Sequence, residues 1–197
     1  MSASLRFFRR AHVLVVLVVL AAMLVGSSAM ASHYSLTKVD FVTAKERKLL
    51  SRAGIFDTQV LLDWLGDDRN RRWVTEQTGL DDGRLRFLAA RCDLLRIVGI
   101  GPTIAEALQK AEVLDTSDLA RDNADDLLAR LKVATRGSSM ASKLPAEDTL
   151  DTWIRAAKRL RPRIDFDPWE VQALVKIVRT GRERAQLVQD GQVLPPP

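Results

Sequence analysis

The chain has 197 residues, 47% hydrophobic and 28% charged, which is enough to bury the core of one ordinary domain and too charged for a wholly membrane-embedded protein. Its formal charge of +5 points at first to a polyanion, but Arg6, Arg9 and Arg10 supply three of those charges. From Ser32 onward, 27 basic residues face 25 acidic ones, so the folded part lacks the excess of a strongly basic nucleic-acid binder.

The three arginines precede Val13 to Val25, thirteen uninterrupted apolar residues, and the small-x-small stretch Ala29-Met30-Ala31 follows. Residues 1–31 therefore read as a secretory signal. The alternative is an uncleaved anchor, because residues 13–31 carry no charge and approach the roughly 20 residues that span a bilayer. In both cases the positive flank sends the remainder across the membrane. The folded part is expected to be extracytoplasmic, periplasmic or secreted, with residues 13–31 holding it in the inner membrane if they are retained.

Beyond residue 32 strand signals are nearly absent and helix starts and stops recur. Thr43-Ala44-Lys45-Glu46 fits a capping box for a helix to about Ala53, with Gly54 at the left-handed C′ position. Thr58 is a candidate cap for a short helix through Leu61, Trp64 and Leu65, stopped by Gly66. Arg69 to Thr78 predicts a third helix ended by Gly79. Asp81 or Asp82 starts a fourth through Leu85, Leu88 and Cys92 into Leu95-Arg96-Ile97-Val98-Gly99-Ile100-Gly101-Pro102. Pro102 suits N1 of a fifth helix with Ile104, Ala105, Leu108 and Ala111 on its apolar face. Ser117 and Asn123 are the next cap candidates. Residues 136–143 read as a loop, Pro145 opens a helix with Leu150, Trp153, Ile154 and Ala157, and Arg161-Pro162 breaks it. Asp167-Pro168-Trp169-Glu170 starts a last helix within an extension over residues 161–190, and residues 191–197 are expected to be a disordered tail.

Cys92 is the sole cysteine, so no intrachain disulfide can form, and its place in Leu85-Leu88-Ala89-Cys92 marks it as a buried small hydrophobe. The two histidines, His12 and His33, lie in or beside the signal, and no carboxylate cluster has ligand spacing. No cofactor motif and no nucleophile with a base is legible, so the reading is non-enzymatic.

Leu50-Ser-Arg-Ala53-Gly-Ile55-Phe-Asp57-Thr58-Gln-Val-Leu61 returns 58 residues later as Leu108-Gln-Lys-Ala111-Glu-Val113-Leu-Asp115-Thr116-Ser-Asp-Leu119. Phe87-Leu88 and Trp153-Ile154 correspond at an offset of 66, and the loop at 136–143 accounts for the difference. Two copies of a small helical unit, each burying its face on the other, are expected.

From Asp93 and Leu94 through Gly101, continuing to Ala105, Leu108, Val113-Leu-Asp115-Thr116 and Leu119, the chain resembles the bacterial domain of unknown function 4332. The likeness also takes in Ala53-Gly54-Ile55, Arg72, Thr78-Gly79-Leu80, Leu144-Pro145 and Trp153-Ile154 with Ala157. It implies an all-α fold of tandem helix-hairpin-helix-like repeats over residues 43–160, plus a C-terminal helix, and it implies no activity. Glu112 departs from it by standing where the first unit has Gly54 and the family usually has glycine, so that helix end is expected to turn less sharply.

In helix-hairpin-helix proteins the turn amides hold a phosphate, and the resemblance places Gly99, Ile100, Gly101 and Thr103 there. Phosphate affinity rests mainly on Lys and Arg, yet residues 93–132 contain five basic and eight acidic residues. A packing turn is the better reading, with DNA disfavoured. Residues 153–186 instead carry nine basic against four acidic residues. Arg155, Arg159, Arg163, Trp169 and Lys176 form the candidate partner surface for an envelope protein or a second copy. The expected function is an exported interaction or scaffold subunit of the envelope; the alternative is sequence-independent DNA binding through Gly99-Ile100-Gly101.

Overall fold

The computed structural model describes residues 33–165; the signal or anchor, the helix expected from Asp167 and the C-terminal tail lie outside the described residues. Among these the chain is all-α. The α-helices are α1 (Ala44–Arg52), α2 (Thr58–Leu65), α3 (Asp68–Thr78), α4 (Asp82–Leu94), α5 (Pro102–Lys110), α6 (Thr116–Arg121), α7 (Ala124–Ala134) and α8 (Glu147–Ala157). None of the described helices is long and apolar enough to cross a membrane.

Side-chain caps set most of the helix starts. The Thr43–Glu46 capping box forms as expected, and Asp67, Asp81 and Asn123 accept from the first-turn amides of α3, α4 and α7. Two caps sit one or two residues earlier than the sequence suggested. Asp57, not Thr58, accepts the amides of Gln59 and Val60 at 2.9 and 2.8 Å, while Thr58 Oγ1 accepts the amide of Tyr34. Asp115, not Ser117, caps α6 by accepting the amide of Asp118. A carboxylate there also meets the positive end of the helix dipole. Pro145 precedes the N-cap Ala146 rather than occupying α8 itself.

The two matched stretches have the same local build. At the end of α1 the Ile55 amide donates to Leu50 O at 3.0 Å, Gly54 takes φ 80°, and Asp57 starts the next helix. At the end of α5 the Val113 amide donates to Leu108 O at 3.0 Å, Glu112 takes φ 67°, and Asp115 starts the next helix. The second turn is thus as sharp as the first, against the expectation from Glu112. A non-glycine residue carries the left-handed conformation because the flanking Leu108 and Val113 are both buried and fix it.

Helix contacts repeat in the same order: α1 packs on α3 as α5 does on α7, α2 on α4 as α6 does on α8, and α3 on α4 as α7 does on α8. Helix α4 also meets α5 and α6, so it lies between the two halves. Leu85, Arg86 and the run Leu88 to Leu94 are all buried, so α4 is covered on several sides and not only on the Leu85-Leu88-Ala89-Cys92 face. Cys92 is fully buried and desolvation pushes its thiol up, away from reactivity.

One apolar core runs through both halves and extends past both ends of residues 43–160. Leu36, Val39, Phe41 and Val42 join it from upstream and Ile164 from downstream. Arg71 is fully buried. Its Nε donates to Asp82 at 2.9 Å, Nη2 to Asp68 at 2.5 Å, and Nη1 to Leu65 O at 3.1 Å. Arg86 closes the box from α4, donating to Asp82 at 2.6 Å. Burial raises the Asp82 carboxyl, but the hydrogen bonds from Arg86 and Arg71 outweigh it and hold Asp82 below the usual carboxylate range.

Candidate functional site

The turn between α4 and α5 is built from buried apolar anchors around one exposed tip. Leu94, Leu95, Ile97 and Ile100 are each no more than 2% exposed, whereas Val98 is 53% exposed. The Ile97 amide closes on Leu94 O at 3.1 Å and the Ile100 amide on Ile97 O at 3.0 Å. Gly99 takes φ 92°, the left-handed region, and a Cβ there would sit 3.0 Å from Trp153 Nε1. Trp153, on α8 and 6% exposed, therefore packs on the hairpin from the other half of the molecule.

The four residues proposed for anion contact do not form an equivalent set. The Ile100 side chain is buried and its amide already donates within the turn. Gly101 has ordinary backbone, φ −91°, and a Cβ would meet only Tyr34 Oη at 3.8 Å, so neither strain nor space demands glycine. Gly101 is the N-cap of α5 and supplies no side-chain acceptor, leaving the first-turn amides, Thr103 among them, without a side-chain cap. Thr103 is exposed. The geometry keeps an uncapped helix start and removes Ile100.

Asp93 is the residue that joins this turn to its surroundings. It is 1% exposed; Oδ2 accepts the Thr116 amide at 3.0 Å and Thr116 Oγ1 at 2.5 Å, and Oδ1 accepts Arg96 Nη1 at 2.6 Å. Arg96 also donates through Nη1 and Nη2 to Arg161 O, 3.1 Å each. In the sequence Asp93 counts as an acid opposing phosphate and as the start of the run that resembles the family. A carboxylate at the end of an apolar helix, 23 residues before an Asp-Thr pair, was the available signal.

The equivalent position in the first half explains its use. The Thr58 amide donates to Tyr34 O at 2.9 Å, and Thr58 Oγ1 accepts the Tyr34 amide at 3.0 Å. Main chain does there what the Asp93 carboxylate does for Thr116.

Another buried cation lies on α4. The Arg91 guanidinium stacks between the rings of Phe41 and Phe87, 5.1 Å from each centroid, and Nε donates to Gln109 at 2.7 Å. Desolvation lowers Arg91 to about 10. Gln109 in turn donates to Leu114 O and Phe87 O. These contacts tie α4 to α5 and leave Arg91 inside the fold rather than on a ligand face.

Of the candidate partner surface, Arg155 and Arg159 are exposed on or just beyond α8. Arg155 pairs with Asp151 one turn earlier. Arg163 is not part of that face, because it pairs with Asp63 on α2. Trp169 and Lys176 lie outside the described residues. On α3, Arg71 is internal, Arg72 pairs with Asp68, and Trp73 rests on Trp64 with centroids 5.1 Å apart.

No curated protein and no solved structure matches the chain. The family model of the domain of unknown function DUF4332 matches residues 41–160, a span holding the hairpin, Asp93, Thr116 and Trp153, and the chain belongs to that family.

Proposed function

We propose that the protein is a non-enzymatic, exported helical module that serves as an interaction or scaffold subunit of the cell envelope. The observation carrying this reading is the seating of Trp153 on Gly99, which makes the hairpin a joint between two helical units rather than an open clasp. The matched turns at Gly54 and Glu112 and the parallel order of helix contacts support two helix-hairpin-helix-like repeats folded into one body. The basic-then-apolar start and Ala29-Met30-Ala31 support export, with cleavage or anchoring at residues 13–31. Exposed Arg155 and Arg159 are the described part of the surface offered to an envelope partner or a second copy. Cross-linking in cells, followed by identification of the products, tests this. A discrete adduct with an envelope protein or with a second copy is expected, and recovery of a freely diffusing monomer alone overturns it.

The uncapped start of α5 favours a second reading, sequence-independent DNA binding at Gly99, Gly101 and Thr103. Duplex titration of the full-length protein decides it. That reading requires binding at about 50 mM salt that weakens steeply as salt rises, and absence of binding there ends it.

A further inference from the structure

We propose that the tip of the α4–α5 hairpin and the basic stretch at residues 158–161 form one docking surface for an anionic lipid bilayer. Val98 stands exposed at the tip, between the buried anchors Ile97 and Ile100. Arg96, two residues before it, holds Arg161 O through Nη1 and Nη2, 3.1 Å each, which fixes the basic stretch beside the turn. Lys158, Arg159 and Arg161 are exposed and have no ion-pair partner among the described residues. An apolar tip beside unpaired cations matches the boundary between acyl chains and anionic headgroups.

The acidic excess of residues 93–132 does not offset these cations. Asp93 is buried against Arg96 and Thr116, Glu106 pairs with Lys110, Asp118 with Arg121, and Asp122 with Arg130. Acids without a basic partner among the described residues stand instead at the start of α8. There repulsion from Asp125 pushes the Glu147 carboxyl up, and Asp148 is exposed next to it. Helix α8 is therefore acidic at its start and basic past its end. Its 11 residues set the two ends about 16 Å apart. A domain polarised in this way turns its basic end to an anionic surface.

The chain also enters the domain at this turn. A Cβ on Gly101 would lie 3.8 Å from Tyr34 Oη, and the Tyr34 amide and carbonyl both pair with Thr58. Tyr34 is three residues past Ala31, within about 11 Å of the end of the segment read as signal or anchor. The choice of a bilayer thus rests on the export reading, with residues 13–31 retained. A duplex would instead be held by turn amides, and the Ile100 amide is already engaged inside the turn.

Purified full-length protein in vesicles of phosphatidylglycerol and phosphatidylcholine in equal parts tests the docking, separately from the cellular cross-link that tests the interaction reading. A fluorophore on Val98→Cys, with buried Cys92 left unlabelled, should brighten and be quenched by spin-labelled lipid. That response should fade in phosphatidylcholine alone and at high salt. The same fluorophore on Asp148→Cys should stay in water. Lys158→Gln, Arg159→Gln and Arg161→Gln together should lower the docked-to-free ratio on the order of a hundredfold, about fivefold for each charge. An unchanged thermal melt is the control for folding, and Arg159→Gln alone, with about a fivefold loss, serves if the triple change disturbs it. No brightening at position 98, equal brightening at position 148 or in neutral vesicles, indifference to the glutamine changes, or a response to duplex DNA in place of lipid each overturns the proposal.

Discussion

Asp115 caps α6 from a position only 6% exposed, and its carboxyl is pushed up to about 6. Burial is the main cause; repulsion from Asp118 and Asp93 adds to it, and the amides of Asp118 and Ser117 pull the other way. The folded value lies above the unfolded 3.8, so the folded state binds more protons between these values and this group's contribution to stability falls as pH rises from about 4 through about 6. Glu46, Asp82 and Glu106 are held below their usual values and act in the opposite sense, losing their contribution as pH falls through those lowered values. Asp115→Asn keeps an N-cap acceptor and removes the titration. Urea unfolding at pH 4 and pH 7 should show the variant gaining on the wild type by on the order of 2 kcal/mol at the higher pH. A difference that stays constant with pH would show that Asp115 does not titrate in this window. Glu112 is a second strained residue, the one non-glycine with positive φ among the described residues. Glu112→Gly relieves a left-handed backbone that costs an L-residue about 1–2 kcal/mol, less the greater freedom of glycine in the unfolded chain. The melting temperature should rise; a fall would mean that the Glu112 side chain outweighs the strain.

At the scale of elements, the two hairpin glycines separate by physics that spacing does not reveal. Gly99→Ala meets both a φ of 92° and Trp153 Nε1 at 3.0 Å, so it should cost about 2 kcal/mol or more and loosen α8 from the turn. Gly101→Ser has ordinary backbone and room, and adds the missing acceptor at the N-cap of α5. It should be neutral or stabilising by up to about 1 kcal/mol in chemical denaturation. Equal losses for both would refute this division, and the hydroxyl introduced by Gly101→Ser would also compete with a phosphate for the α5 amides. Helix order, the capping box, the C′ glycines at 54 and 79 and the Pro102 start were legible in the sequence because they depend on neighbours within a few residues. The Asp-Thr pairs were legible only as far as cap-forming types. That the aspartates cap was decided at Thr58 by Tyr34, 24 residues away, and at Thr116 by Asp93, 23 residues away. Arg71 shows the same limit. It is the fourth residue of α3, where Leu127 is the fourth of α7, and both are fully buried. The more distant Asp82 joins the nearby Asp68 and Leu65 O in making an arginine tolerable at that depth.

On the scale of the whole molecule, the fold is closed at its two ends by segments outside the span of family resemblance. Upstream, Leu36 and Val39 enter the core, and the Leu36 amide donates to Phe56 O at 2.9 Å. Phe56 remains 61% exposed, whereas its counterpart Leu114 is 1% exposed in the core, its carbonyl accepting from Gln109. Downstream, residues 161–165 return from α8 to the first half, where Arg96 holds Arg161 O, Asp63 holds Arg163, and Ile164 is 8% exposed in the core. Losing Ile164 removes about 2 kcal/mol of apolar burial. Leaving Arg96 with only Asp93 adds about 1 kcal/mol for a charge-assisted bond given back to water, while the exposed Arg163–Asp63 pair contributes less than about 1 kcal/mol. A chain ending at residue 160 should therefore unfold at a urea midpoint corresponding to about 3 kcal/mol less stability than one ending at residue 165. The m-value should be nearly unchanged, because few residues are removed. If the two truncations unfold together, residues 161–165 are an appendage and the two halves are held by their shared core and by the Trp153–Gly99, Asp93–Thr116 and Arg91–Gln109 contacts. If the shorter chain is weaker by the predicted margin, the strap is a further tie between them, and the working limit of the domain lies at Asp165 rather than at the end of α8.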